Sequence, residues 1–396
     1  MLVADGPTRI QRAILKEYLT TGNTFARLFD LAVALVFWPW RSTLSAWRLT
    51  RSVGRQITDV RSLSVQFFQQ VGLAWFHGMS PTMYYQMGIA RSQSRHRPTS
   101  WVQDGHAGLL SRVFRADKTL IEVNDKAMFA RMMLDAKIPH PETVVLAHRV
   151  DHAGAEIFEM LAKHRELFLK RVIGHGGRGS RVLVKQARDL WTVHEQIPSP
   201  DNSKAVLDET QLIEQLRTSA RAGCWLIQPK LVNHPLLVEL FGPGLVSVRV
   251  VSARSTERFV ILGVLISFPA PHQLVSQRGL KVGIDRISGT MGRVFSYSAD
   301  QREFSRNPYT NKRVEGVQLP FWAEMVDLVE RAHANLPTYP FLGWDVAICP
   351  EGPTVLEANG NFGVAGLQRP WGRPLIDDDF VAVFNDWKQH HGSVDA

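Results

Sequence analysis

The sequence predicts an α+β protein in which a mainly helical, basic N-terminal region precedes a longer stretch of mixed strands and helices. Three observations predict it. First, 396 residues exceed what a single core holds, since cores stop growing near ~250–300 residues, so two or three domains are expected. Second, residues 1–120 hold 15 of the 46 Lys/Arg and 6 of the 37 Asp/Glu, so the whole formal net charge of +9 lies there and residues 121–396 balance to zero. Third, strand signals that alternate with helical ones start only after about residue 120. They include a glycine-rich hairpin and, near the end, a hairpin carrying carboxylates.

A hydrophobic content of 45% with 21% charged residues is globular, which argues against a disordered chain. Cys224 and Cys349 lie far apart in sequence, so neither a disulfide framework nor a zinc site is expected. The first residues, MLVADGPTRIQRAILKEYL, hold no apolar stretch of signal-peptide type. A reducing cytoplasm is the expected compartment.

In the N-terminal region, Leu28–Trp40 is apolar except for Asp30, and Arg27 and Arg41 bracket it. Its 13 residues fall short of the ~20 that a spanning helix needs, and Pro39 is expected to end the helix. Two readings fit. One is a buried helix of a helical domain. The other is an interfacial anchor, with Trp38 and Trp40 at headgroup depth and Arg41, Arg48, Arg51, Arg55 and Arg61 facing anionic lipid at the inner membrane face. Basic and aromatic residues also suit nucleic acid, but no nucleic-acid motif accompanies them, and no such partner is expected. The polar stretch Arg91–Ser100 reads as a linker, with a domain boundary between it and about residue 120.

Asn124 or Asp125 caps a helix through KAMFARMMLDAK, whose Phe129, Met132, Met133 and Ala136 make one apolar stripe. Lys126 sits in its first turn. Pro139 and Pro141 break the pattern, and a strand follows at Thr143–Leu146. Leu167–Lys170 is a buried strand ahead of Gly174-His175-Gly176-Gly177-Arg178-Gly179-Ser180, and a second strand starts at Arg181. Glycines there let backbone N–H groups approach an anion closely. The string satisfies Gly-x-Gly-x-x-Gly, yet it runs into a strand rather than opening a helix, so it is a hairpin flap and not a dinucleotide fingerprint.

Trp225–Pro229 is a strand whose end could offer backbone groups to an adenine. Leu245–Ser252 is a strand from which Arg249 projects, and such an arginine needs an anion or a carboxylate. A further strand covers Phe259–Ser267. Lys281–Asp285 and Gly289–Gly292 read as a glycine-containing polar loop within reach of a substrate. In Gly343–Asn361, two β-rich runs flank the turn Pro350–Pro353. Asp345 and Glu357 are an even number of positions apart, so an odd-length connection would set them across from each other, with Asn359 on the same face. Two carboxylates and an amide oxygen suit Mg²⁺.

Taken in order, these pieces resemble the ATP-grasp superfamily over about Asn124 to Asn361. They are most similar to its sugar-transfer-associated branch, related to the alpha-L-glutamate ligases. The residues that carry the likeness are NDK at 124–126, LKRVIGHGGRGS at 169–180, LVNHPLL at 231–237, SVRVV at 247–251, GWDVAI and LEANGN. The resemblance implies an ATP-grasp fold, two α/β subdomains clasping ATP, over residues 121–205 (with the flap) and 206–396 (with the metal site). It implies that Lys126 and Lys170 hold phosphates and that Gly174, Gly176, Gly177, Gly179 and Ser180 close over them. The segment around Gln228 would receive the adenine, and Asp345, Glu357 and Asn359 would hold Mg²⁺. Arg249, with Lys281 nearby, would stabilise the transferring group or its acceptor carboxylate. The implied reaction is an ADP-forming ligation of a small-molecule carboxylate to an amine, in a branch linked to cell-surface polysaccharide assembly. A kinase on the same fold, and a membrane-associated ATP-binding scaffold, are the competing readings.

Overall fold

The computed structural model describes residues 6–21, 23–57, 61–90, 97–113, 121–146, 154–174, 180–187, 190–195, 205–221, 223–271, 280–296 and 302–391. The N-terminal third is helical: α1 (Gly6–Thr20), α2 (Thr24–Ser52), α3 (Leu63–His77), α4 (Pro81–Gln86) and α5 (Asp104–Val113). Asn23 caps α2 by accepting from the N–H groups of Phe25 and Ala26. The helix does not end at Pro39, as the sequence suggested, but runs on for 13 residues through Ser52. Proline removes one donor, yet its own carbonyl is well used. Thr43 Oγ1 donates to it at 2.7 Å, and the Trp75 ring N–H of α3 does so at 3.3 Å. Trp38 bonds Ala74 O across the same pair of helices at 2.7 Å. Tertiary packing therefore overrides the local helix-breaking preference. The sequence placed a linker at Arg91–Ser100. Residues 91–96 lie outside the described set, while Pro98–Ser100 form a 3₁₀ turn that Gln11 ties to α1.

Two short helices, α6 (Ile121–Asn124) and α7 (Lys126–Asp135), lead into the first sheet. Asp125 caps α7 as expected, and Phe129 and Met133 are its buried stripe. The sheet comprises β1 (Val144–Leu146), β2 (Glu166–Arg171), β3 (Arg181–Ala187), β4 (Leu190–Glu195), β5 (Ala205–Asp208) and β6 (Trp225–Pro229), in the order β1-β6-β2-β3-β4-β5. Helices α8 (Gly154–Lys163) and α9 (Glu209–Arg221) contribute to its core, where Ile157, Leu161, Leu212 and Leu216 meet Leu167, Leu169, Trp191 and Ile227. Leu169 pairs with Arg181, so the glycine segment does join two antiparallel neighbours.

After α10 (Pro235–Phe241) comes the second sheet: β7 (Ser247–Arg254), β8 (Phe259–Phe268), β9 (Leu280–Ile284), β10 (Met291–Phe295), β11 (Glu303–Phe304), β12 (Phe341–Cys349) and β13 (Gly352–Asn359). Its order is β11-β10-β9-β8-β7-β12-β13, and every pairing in both sheets is antiparallel. Residues Lys281–Ile284 are thus strand, not the polar loop read from the sequence. Leu280, Val282 and Ile284 alternate into the core, and the period-2 burial outweighs the glycine and the charge. Helix α11 (Trp322–Ala334) covers one face, with Leu342, Trp344, Val346 and Val355 packed beneath it. The other face meets α12 (Ala365–Trp371) and α13 (Asp378–His391), and also Ile10 and Ile14 of α1 and Leu110 of α5. The N-terminal helices therefore share a core with the second sheet.

Candidate active site

Alternation on the second sheet places the chemistry. Val248 and Val250 of β7 and Trp344 and Val346 of β12 point into one core, so Arg249 and Asp345 project from the opposite face. The strands pair Arg249 with Asp345, and Asp345 with Glu357. The last pairing needs a bulge. Cys349 pairs with Gly352 across a two-residue turn, a register that alone would set Asp345 against Leu356. A shift between Asp345 and Val346 makes Leu356 the extra residue and brings Glu357 opposite.

Asp345 is the hub. The Arg249 guanidinium donates to it twice, from Nε at 2.6 Å and Nη2 at 2.8 Å. Ser247 Oγ donates at 3.2 Å and Asn359 Nδ2 at 3.3 Å. Burial would lower the Arg249 guanidinium, but the carboxylates of Asp345 and Glu357 outweigh it and hold its pKa raised. The sequence left open whether Arg249 serves a structural pair or an anion. In this structure its partner is Asp345.

Two lysines complete the cluster, Lys126 from α7, which packs on the second core, and Lys170 from the first sheet. Lys126, the first residue of α7, donates to Gly174 O at 2.7 Å and lies 3.9 Å from Glu357. Lys170 projects from β2. Burial pushes its pKa down to about 8, the neighbouring Lys126 adds to that, and the Glu357 and Asp345 charges oppose it. Lys126, Lys170, Gly174, Arg249, Asp345, Glu357 and Asn359 are thus brought together between the two sheets. Hard oxygen donors on facing strands, with cations around them, fit a small divalent ion beside phosphate.

The remaining expected residues stand apart. Ser180 is buried just before β3, and Gly176, Gly177 and Gly179 lie outside the described residues. The Gln228 side chain is buried and donates to Thr143 Oγ1 at 2.7 Å, which leaves its backbone as the group a base would meet. Lys281 shares the face of Arg249 but sits two strands away, about 10 Å across the sheet, and donates to Gly366 O at 3.4 Å. Sequence reasoning missed His140, which sits beside Lys170 and the Leu356 backbone. Burial and then the Lys170 charge lower its pKa to about 4, so it is neutral. Its place between Pro139 and Pro141 was the available signal. Ser247, two residues before Arg249 on the same face, was also legible by alternation.

No curated protein matches the sequence. The chain is similar to several solved structures. D-alanyl-alanine synthetase A from Vibrio cholerae O1 biovar eltor is 11% identical, with a TM-score of 0.41, over 67% of this chain and 66% of that one. D-alanine-D-alanine ligase from Helicobacter pylori is 12% identical, with a TM-score of 0.39, over 73% and 70%. An ADP complex of N5-carboxyaminoimidazole ribonucleotide synthetase is 10% identical, with a TM-score of 0.38, over 67% of this chain. The match spans only about half, 53%, of that synthetase. The model of the family described as sugar-transfer associated ATP-grasp matches residues 109–378, about two thirds of the sequence and every residue of the cluster above, and the chain belongs to that family.

Proposed function

We propose that the protein is an ATP-dependent, ADP-forming carboxylate–amine ligase acting on small molecules in the cytoplasm, in cell-surface polysaccharide or related biosynthesis. The observation that supports this most is the cluster itself. Lys170 approaches from the first sheet and Asp345 and Glu357 from the second, with Arg249 and with Lys126 of α7, a helix packed on the second core, among them.

Lys126 and Lys170 bind the phosphates of ATP, and the backbone of Gly174–Ser180 closes over them. The β6 backbone near Gln228 receives the adenine. Asp345, Glu357 and Asn359 would hold Mg²⁺, which when bound neutralises phosphate charge. A substrate carboxylate oxygen attacks the γ-phosphorus and the bond to ADP breaks, leaving an acyl phosphate. The amine then attacks the acyl carbon, an amide forms, and inorganic phosphate and a proton leave. Negative charge crowds at the first step, so positioning and electrostatics are the main levers. Arg249 and Lys281 supply positive charge on the acceptor side. Excluding water protects the acyl phosphate from hydrolysis.

The test incubates the protein with ATP, Mg²⁺ and pooled candidate acids and amines. ADP with free phosphate, requiring both an acid and an amine, supports the ligase. ADP without free phosphate would indicate a kinase. AMP with pyrophosphate would overturn the mechanism.

A further inference from the structure

Helix α2 carries a stripe of exposed apolar side chains. Phe29, Val33, Phe37, Trp40, Leu44 and Trp47 recur at spacings of four and three and so share one face of a 3.6-residue helix. Their exposures are 63, 39, 57, 74, 37 and 48%. In the second half of α2 the opposite face, Ser42, Ala46 and Thr50, is buried, and Gln70 of α3 bonds Thr50 there at 2.8 Å, whereas in the first half Leu28 and Leu35 on that side are also exposed, at 51 and 78%. The expectation of a buried helix therefore fails for Leu28–Trp40. From Phe29 to Trp47 the stripe runs about 27 Å. At the end of α3, which packs on the other side of α2, Trp75 and Phe76 are also exposed, 51 and 80%.

The same face carries Arg41, Arg48 and Arg51, all exposed, and the Arg51 guanidinium lies over the Trp47 ring at 4.9 Å. Aromatic and aliphatic groups interleaved with arginines suit one kind of partner. Rings enter the boundary between headgroups and acyl chains, while guanidinium groups reach lipid phosphates on long apolar stems. We propose that this face of α2 is a docking surface for an anionic lipid bilayer, with the helix lying in the interfacial plane.

Three further points favour lipid over other occupants. No described helix is long and apolar enough to cross a membrane, so the contact is with one leaflet. A second copy laid along the stripe would bring two sets of arginines together, with only Asp30 of each copy on that face to offset them. The net positive charge of the protein, all within residues 1–120, complements an anionic surface. The attachment does not depend on which reaction the site between the sheets runs.

The test is co-sedimentation of the full chain with vesicles of phosphatidylcholine alone, or of equal parts phosphatidylcholine and phosphatidylglycerol. Binding is expected only with phosphatidylglycerol, weaker at high salt but with a salt-resistant remainder. Each of Arg41→Gln and Arg48→Gln should weaken it about fivefold. Phe37→Ser with Trp40→Ser should remove the salt-resistant part, and because both positions are exposed the melting curve should not move. Failure to bind anionic vesicles at low salt overturns the proposal. So does a concentration-dependent doubling of mass without lipid that Trp40→Ser abolishes, because the stripe is then an interface between copies.

Discussion

Glu357 stands opposite Asp345 and 3.9 Å from Lys126, so exchanging its carboxylate for an amide keeps the shape and removes one charge. Glu357→Gln should lower turnover by about 10²–10³-fold, the usual effect of deleting one preorganised charge-stabilising group. The melting temperature should stay put. Turnover within tenfold of wild type under saturating Mg²⁺ would remove Glu357 from the site. Lys126→Ala and Lys170→Ala should each weaken ATP binding roughly ten- to a hundredfold, since charge-assisted contacts are worth ~1.5–3 kcal/mol. Unchanged affinity in both would sink the assignment of this cluster to ATP. Lys170 adds a pH signature. Its pKa of about 8 lies below the ordinary 10.5, so between those values the unfolded chain binds the extra proton and stability rises with pH. Below pH 8 the burial penalty is present in full. ATP phosphates favour the ammonium, so binding above pH 8 should take up a proton and weaken as pH rises. Calorimetry in buffers of different ionisation enthalpy reads that uptake, which Lys170→Met should abolish.

At the scale of elements, alternation in β7, β12 and β13 made the shared face of Arg249, Asp345 and Asn359 legible in the sequence. The facing of Asp345 and Glu357 was legible in part. Their even separation was visible, but the bulge at Leu356 that brings them opposite each other was not, because no glycine or proline marks it. Gly283 shows the reverse failure. In Lys281–Ile284 it reads as loop composition, whereas the residue is bare because α12 crosses β9 there. A Cβ at Gly283 would land on the Pro370 carbonyl oxygen. A contact between residues 87 positions apart leaves no local trace. Gly283→Ala should destabilise the protein by about 1–3 kcal/mol, the typical cost of overpacking, because backbone rather than a flexible side chain must give way. A melting temperature within error of wild type would mean that α12 moves freely at this crossing. Similarly, Pro39 is tolerated inside α2 through Trp38, Ser42, Thr43 and Trp75, and of these only Ser42 and Thr43 lie within one turn after it on the same helix.

At the scale of the molecule, the two sheets have separate cores. Leu167, Leu169, Trp191, Leu216 and Ile227 close the first, while the second is packed on both faces. Helices α6 and α7 pack on the second core through Val123, Phe129 and Met133, and polar links cross from there to the first sheet, such as Lys126 N–H to Val172 O at 3.3 Å and Lys126 Nζ to Gly174 O at 2.7 Å. Two cores joined this thinly should not unfold as one. Calorimetry without nucleotide should therefore resolve two transitions, the lower one belonging to the small first sheet. A nucleotide bound by Lys170 on one side and by Lys126 and the Asp345–Glu357 hairpin on the other would tie the two together. A ligand at a hundred times its dissociation constant stabilises by about 2.7 kcal/mol. For a domain below about 100 residues that shifts melting by on the order of 10 °C. ATP with Mg²⁺ should raise the lower transition by that amount, toward the upper one. The Lys170→Ala and Glu357→Gln variants test the bridge from opposite sides, and both should lose most of the shift. A nucleotide that raises the lower transition equally in wild type and Glu357→Gln would show that it binds the first sheet alone, without engaging the hairpin across the cleft.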